Sequence, residues 1–377
     1  MSVADSRSGL RQVLRLGALL LALVNGVEAA EPTTRLVLLR SFSVTARQTT
    51  EEGIEVTLPP VDPGIPWNEL VASWNVAPQS RVTVSVRTIS DSGHSPWYVL
   101  GKWSADPTKG PRTSVNGQTD AEAKVATDSL LVKRRRPRAE VRLTFPSSAD
   151  ADGLRLIALS FADSARTNPP VSTPRTAWGR RIDVPLRSQT LYPEGIQSWC
   201  SPTSLSMVLA HWGRRLGRSD LDHPVPEVAA AVHDPAWPGT GNWPFNTAYA
   251  GSFTGLRSCV ARFEGLGELE EWIAAGSPVI ASVDATLLDE RRSGSAPSGH
   301  LVVVRGITDH GDIEILDPGV SPERGARTVG RVAFERAWKY SLRTVYLVWP
   351  EDASHGAAPT DRGSGGPLHA RASSPAP

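Results

Sequence analysis

Between residues 31 and 165 the chain repeatedly alternates apolar and polar side chains. The runs TRLVLLRSFSV, GIEVTLP, RVTVSVRTIS, WYVLGKW, SLLVKRR, AEVRLTF and RLIALSF have turn residues between them, and no segment of helical period interrupts them. A period of two gives each run one face for a core, so the series predicts antiparallel strands packed as an all-β sandwich over residues 31–165. Trp74, Trp97, Tyr98 and Trp103 fall on or beside these strands. They read first as core residues and second as a platform on which sugars stack.

The pattern changes after RTNPPVSTPRTAWGR (166–180), a Pro- and Thr-rich stretch expected to run extended, so residues 166–181 read as a linker. Beyond it helical and strand periods mix. Leu205, Val208, Leu209 and Trp212 fall at i, i+3, i+4 and i+7, one buried helical face, with Pro202 suited to the first helical position and Gly213 or Gly217 to the end. VPEVAAAVHD and LGELEEWIAAG read as short helices, PVIASVD, HLVVVRGI, DIEIL and RTVYLVW as strands, and RVAFERAW as a helix between the last two. A helix followed by strands in meander order predicts an α+β domain with an antiparallel sheet over residues 182–350.

The two ends read differently. Arg7, Arg11 and Arg15 precede LGALLLALV (16–24) and NGVEAA, where Val27 and Ala29 suit cleavage after Ala29, so residues 1–29 read as a secretory signal and the protein as extracytoplasmic. The apolar run is about half the ~20 residues that cross a bilayer, and no transmembrane anchor is expected. Residues 351–377, dominated by Gly, Pro, Ser and Ala, read as a disordered tail. Without the signal the formal charge falls from +1 to zero, which excludes the basic excess a nucleic-acid binder needs. The basic cluster KRRRPR (133–138) reads as a solvated loop between strands, or as a contact to an acidic envelope surface.

The chemistry centres on QSWCSPTSLSMVL (197–209). A cysteine at a helix N-terminus meets unpaired N–H groups and a favourable dipole, which stabilise the thiolate, and Cys200 holds that place. A disulfide with Cys259 is the structural alternative, although a domain this size does not need the staple. The thiolate needs a proton acceptor. Of the eight histidines, His94 lies in the first domain, His355 and His369 in the tail, and His211, His223, His233 and His310 on helices or turns. Only His300, in SGHLVVVRGI, opens a strand with a second apolar strand close behind. That second strand ends at Asp317, 17 residues on, where an antiparallel pair would bring the carboxylate beside the imidazole to fix its tautomer. For the oxyanion, Gln189 and Gln197 both qualify, and Gln189 is preferred because ten residues separate it from Cys200 and leave it free to aim. Trp199 and Trp243 are the candidates for substrate contact, the latter in a glycine-framed stretch, PGTGNWPFNTAYAG (238–251), read as a loop lining the cleft. No metal-ligand spacing occurs, and neither a metal nor any other cofactor is expected.

The order V-P-x-x-x-Q, W-C-S-P-T-S-x-S-M-V-L, G-H-L-V-V-V-R-G and L-D-P resembles the papain-like cysteine peptidases related to the double-glycine leader (bacteriocin-processing) peptidases. More closely it resembles an exported bacterial branch with WCSPTS in place of C-G-P and a β-rich domain in front. The resemblance spans residues 182–350 and implies a papain-like fold, with Cys200 as nucleophile, His300 as base, Asp317 as orienting acid and Gln189 as oxyanion donor. The chain departs from the leader peptidases in lacking a G-x-x-x-x-G-K-[ST] stretch and a second long apolar run, and in a longer Gln-to-Cys gap. The expected activity is cleavage of a peptide or amide bond in a peptide or protein substrate through a thioester. A thiol acyltransferase, or a glycan- or envelope-binding protein with an inactive peptidase-like domain, are the alternatives.

Overall fold

The computed structural model describes residues 31–167, 175–288 and 298–352. The signal read over 1–29, the middle of the linker and the tail beyond Asp352 lie outside the described residues. No described helix is long and apolar enough to cross a membrane.

The N-terminal alternating runs form two antiparallel sheets. One runs in the order Thr34–Leu39, Leu154–Ala162, Trp67–Val76, Ser129–Arg136, Ala123–Ala126. The other runs Ala46–Thr50, Gly53–Thr57, Arg138–Phe145, Arg81–Ser90, Gly93–His94, with Tyr98–Ser104 also paired to Arg81–Ser90. Leu70, Trp74 and Leu159 of the first sheet share an apolar cluster with Val84, Leu100 and Val141 of the second. Trp74, Tyr98 and Trp103 are buried there, while Trp97 lies under the guanidinium groups of Arg87 and Arg142, 4.5 and 4.7 Å from its ring centre. One short helix, Ser148–Asp152, does interrupt the strands. KRRRPR is not a loop: Lys133 to Arg136 end one strand and Arg138 opens the next, with Arg134 and Arg136 paired to Glu122 and Arg135 to Asp163.

The alternation of the two central strands of the first sheet divides apolar residues between two cores rather than between core and solvent. Leu70, Ala72, Ile157 and Leu159 belong to the cluster between the N-terminal sheets, whereas Val71, Leu156 and Ala158 belong to the core of the C-terminal half. A strand covered on both faces can carry an apolar residue at nearly every position, as RLIALSF does.

The C-terminal half is built on a seven-stranded sheet in the order Leu256–Arg262, Thr344–Pro350, Val279–Asp284, Gly299–Ile307, Ile313–Leu316, Ala326–Val329, with Arg180–Arg181 added to Gly299–Ile307. Among the described residues its named strands all pair antiparallel, and one isolated parallel bridge joins Trp178 to Ile307. The strand Leu256–Arg262, which holds Cys259, carried no recognised signal, because its Ser, Cys and Arg residues blur the alternation. The helix Cys200–Leu216 is buried on all sides from Ser201 to Gly213, not on one face. Its serine hydroxyls are satisfied internally: Ser204 Oγ donates to the Leu301 carbonyl (3.2 Å), Ser206 Oγ to the Thr203 carbonyl (2.9 Å), and Ser201 Oγ pairs with the Tyr346 hydroxyl (2.9 Å). Pro202 is the third helical residue rather than the first, still within the turn whose N–H groups have no helical partner. Gly217, at φ 65°, ends the helix in the left-handed conformation glycine favours.

The stretch 238–251 is largely helix, not loop: Trp243–Ser252 is helical, with Asn242 capping it through the Phe245 N–H (3.2 Å). Asn followed by Pro within the next turn is a start signal, overshadowed by the glycines. This helix enters both cores, Phe245 and Ala248 reaching the N-terminal cluster and Ala250 the other.

Asn75 joins the two halves in the manner of a paired strand residue. Its Nδ2 donates to the Ser258 carbonyl (2.8 Å) and its Oδ1 accepts the Ser258 N–H (3.0 Å), all buried. Asn75→Ala leaves both backbone groups without partners, and chemical denaturation is expected to show a loss of about 2–4 kcal/mol; a loss under ~0.5 kcal/mol would mean water replaces the amide.

Candidate active site

Cys200 starts its helix, and the first bond of helical spacing runs from the Thr203 N–H to the Trp199 carbonyl (3.0 Å). The N–H groups of Cys200 and Ser201 therefore have no helical partner. His300 and the N–H groups of Leu301 and Ser201 favour the Cys200 thiolate. His300 stands on the strand Gly299–Ile307, opposite Val283. The neighbouring strand Ile313–Leu316 pairs Leu316 with Val303, and Asp317 follows directly. The hairpin thus brings Asp317 Oδ1 to 2.7 Å from His300 Nε2, which leaves Nδ1 without a bond to that carboxylate.

Asp317 is held from three sides. Its Oδ1 also accepts the Gly319 N–H (2.9 Å), and its Oδ2 accepts from Arg327 (2.6 Å). Its side chain is 4% exposed and that of His300 12%. Gly319 has to be small: a β-carbon there would come within 2.8 Å of the imidazole Cε1.

The three groups shift one another. Burial pushes the Cys200 thiol up, but the hydrogen bond and charge of His300, with the N–H groups of Leu301 and Ser201, outweigh it and hold the thiol below its ordinary value. Burial disfavours the His300 imidazolium, yet Asp317 and Cys200 hold it well above the usual imidazole range. Burial also opposes the Asp317 carboxylate, and His300, Arg327 and the Gly319 N–H override it, keeping that group far below the usual carboxylate range. The arrangement favours a thiolate beside an imidazolium.

Gln189 opens a 3₁₀ turn, Gln189–Leu191, and its N–H donates to the Pro318 carbonyl (3.0 Å), which docks it on the loop after Asp317. Its side chain is buried, with Nε2 donating to the Ile196 carbonyl (2.8 Å). Gln189, Gln197, Cys200, His300 and Asp317 line one cavity of about 470 Å³. Gln197 is exposed.

The two tryptophans lie elsewhere. Trp199 does not line that cavity; its ring lies against Gly195 and 5.9 Å from Tyr192, where it braces the loop before the cysteine. Trp243 lines a separate cavity. Cys200 and Cys259 are both free, and Cys259 is buried in its strand. Sequence reasoning missed Arg324 and Arg327, which line the Cys200 cavity. Arg327 sits opposite Ile315 on a short edge strand with no motif of its own, so only the sheet register reveals it.

Residues 20–158 match the family model described as peptidase C39 N-terminal domain, and residues 181–345 match the C39-like peptidase family. The chain belongs to a C39-related peptidase family. The resemblance carried by WCSPTS and its neighbours is thereby borne out, and the seven-stranded half is a C39-like peptidase fold of helices and antiparallel sheet. Among solved structures this C39-like protein is similar to a Bacillus anthracis protein described as a C39-like peptidase, with 21% identity over 45% of this chain and 96% of that one and a TM-score of 0.34. A weaker likeness, at 10% identity and a TM-score of 0.14 over 43% of this chain and 33% of that one, is to the CBM22-1-GH10 modules of Clostridium thermocellum xylanase 10B with xylohexaose. No curated protein matches.

Alkylation reads the thiolate directly. With iodoacetamide, Cys200 is expected to react with a midpoint below the ~8.5 of a free cysteine, the rate falling as acid protonates the sulfur. In His300→Ala the offsetting charge is gone and burial alone acts, so the midpoint should move above ~8.5. Equal profiles in the two proteins would show that His300 does not tune the thiol.

Proposed function

We propose that this protein is a secreted cysteine peptidase-like hydrolase that cleaves peptide or amide bonds through a Cys200–His300–Asp317 triad. The observation that carries the reading is the single cavity in which a helix-start thiol, an imidazole and a buried carboxylate meet in hydrogen-bonding order. Family membership supports a cysteine peptidase-like enzyme at the coarser level.

In this mechanism the Cys200 thiolate attacks the substrate carbonyl carbon, and the carbonyl electron pair moves onto oxygen. The Cys200 N–H and Gln189 Nε2 stabilise that oxyanion. The tetrahedral intermediate collapses with cleavage of the C–N bond as His300 gives its proton to the departing amine, leaving a thioester. Neutral His300 then takes a proton from water, hydroxide adds to the thioester, and collapse releases the carboxylate and restores the thiolate–imidazolium pair. Asp317 keeps Nε2 as the donor throughout, so that Nδ1 exchanges the proton. Gln189 fits the oxyanion role better than Gln197 because it is buried and held by Ile196. The reading also takes residues 31–165 as a β-sandwich domain, residues 182–350 as the thiol hydrolase domain, and envelope or glycan contact as a role for the former.

Mass spectrometry of a proteome-derived peptide library after incubation with the protein tests the mechanism. Cleavage should fall by about 10⁴-fold or more in Cys200→Ala, and by about 10²–10³-fold in Gln189→Ala with the alkylation profile of Cys200 kept. Cleavage undiminished in Cys200→Ala, or absent from the wild type, would overturn the hydrolase reading.

A further inference from the structure

A second cavity, of about 510 Å³, lies beside the first. Its aromatic lining comes from Trp237, Trp243 and Tyr340, and Trp237 and Tyr340 are 44% and 50% exposed. Exposed aromatics of this size are uncommon on a chain that buries Trp67, Trp74, Trp103, Trp212 and Trp338 almost completely. The Trp237 ring is fixed in place: a β-carbon on Gly239 or Gly241 would come within 2.9 or 3.2 Å of it, so the indole rests on bare backbone.

The charged lining is two acids and one base: Asp128, Glu69 and Arg262 all contribute to the wall, and Arg262 is paired with Glu69 at 3.0 Å. Arg262 also acts on Asp128 through its charge, so two carboxylates face one guanidinium and the lining keeps a single net negative charge. Asp128 accepts the Trp243 N–H (2.8 Å) and the Ser129 hydroxyl (3.1 Å), neither of which neutralises it. Burial pushes its carboxyl up to about 6, so an occupant of positive charge would relieve it. Among the described non-glycine residues, three have positive φ; Thr127 (58°) and Leu342 (53°) line this cavity and Arg343 (54°) follows.

The cavity adjoins the one that holds Cys200. Gly299 lines the Cys200 cavity, and a β-carbon on it would lie 3.8 Å from the Tyr340 ring. From the other side Thr240 Oγ1 donates to the Ser198 carbonyl (2.8 Å), which ties the Trp237–Gly241 loop to the residues just before Cys200.

We propose that this cavity is a substrate subsite that takes a basic side chain, lysine or arginine, of the peptide bound at Cys200. The inference rests on the hydrolase reading above for what the bound chain is. Three aromatic side chains and an excess of one carboxylate over the paired Arg262 and Glu69 suit a cation in both respects: ring faces attract positive charge, and Asp128 supplies the counter-charge. Glu69, Asp128 and Leu131 belong to the N-terminal sheets, so both halves of the chain build the pocket.

Calorimetry on the Cys200→Ala protein tests this without turnover. The probes are acetyl-Ala-Lys-Ala-amide, its norleucine counterpart and an N-acetylglucosamine oligomer. The lysine peptide is expected to bind about tenfold more tightly than the norleucine peptide. That advantage should vanish in Trp237→Ala and in Asp128→Asn and persist in Trp237→Phe. Equal affinity for the two peptides, no binding of either at millimolar concentration, or capture of the sugar oligomer in a Trp237-dependent way would overturn the proposal. Trp237 is exposed, so its variants keep the test valid where Asp128→Asn fails to fold. The alkylation profile of Cys200 separates the two readings: a tuned thiol with no preference for lysine removes only the subsite, and a lysine preference beside an ordinary thiol removes only the hydrolase.

Discussion

A sulfur, an imidazole, a carboxylate and a guanidinium stand in line, and their charges alternate. Each of the inner groups is nearly out of solvent, and removing an isolated ion from water costs several kcal/mol. Cys200, His300, Asp317 and Arg327 meet this cost for one another: every charge has an opposite neighbour on the side where water is missing. The line ends in solvent at Arg327, whose side chain is 31% exposed. Exposure at that end means the last charge is hydrated and the chain need not be closed by a further buried group. Removing an inner member leaves its neighbours as uncompensated buried charges, so the row stands as a unit.

The fold makes this row from three separate pieces of backbone. The helix Cys200–Leu216 supplies the sulfur and two N–H groups without a helical partner, the strand Gly299–Ile307 supplies the imidazole, and the turn after Ile313–Leu316 supplies the carboxylate. Their mutual positions depend on the Ser204 bond to the Leu301 carbonyl, one residue from His300, and on the sheet register. Serines inside a buried helix are costly when unpaired; Ser201, Ser204 and Ser206 are paired, and the first two fasten the nucleophile's helix to the sheet.

Much of this was legible in the residues. Cys200 precedes an apolar helical period, His300 opens an apolar strand, and Asp317 closes the next, so local pattern alone put all three at element ends, where side chains can converge. Gln189 was separable from Gln197 by loop length, and burial now separates them further. Arg327 was not legible, because a charged residue on a four-residue edge strand looks like any exposed arginine until the pairing of Ile315 with Arg327 is known. The double burial of Trp67–Val76 and Leu154–Ala162 was hidden for a related reason. Alternation reports that two faces differ, and here both faces are apolar but belong to different cores. Where the rings of Trp199 and Trp243 lie was not legible either, because local pattern does not say which way a ring turns: Trp199 lies on Gly195, and Trp243 lines the second cavity.

The N-terminal sheets have a mechanical bearing on the site. The helix Trp243–Ser252 places Phe245 against Trp74 and Trp103, 6.2 and 5.4 Å between ring centres, and Ala250 in the opposite core. Its first N–H is held by Asp128, which sits on the turn between two N-terminal strands, and the loop before it is tied to Ser198. Moving the N-terminal sheets relative to the peptidase-like half would therefore disturb two packed cores, the Asn75 pairing and the backbone beside Cys200 together. Packed interiors resist such shifts, which makes this side of the cleft a fixed wall. A fixed wall carrying Trp237, Trp243 and Asp128 favours a substrate by matching its shape and charge in advance, since the ordering cost of the site is met during folding rather than at binding.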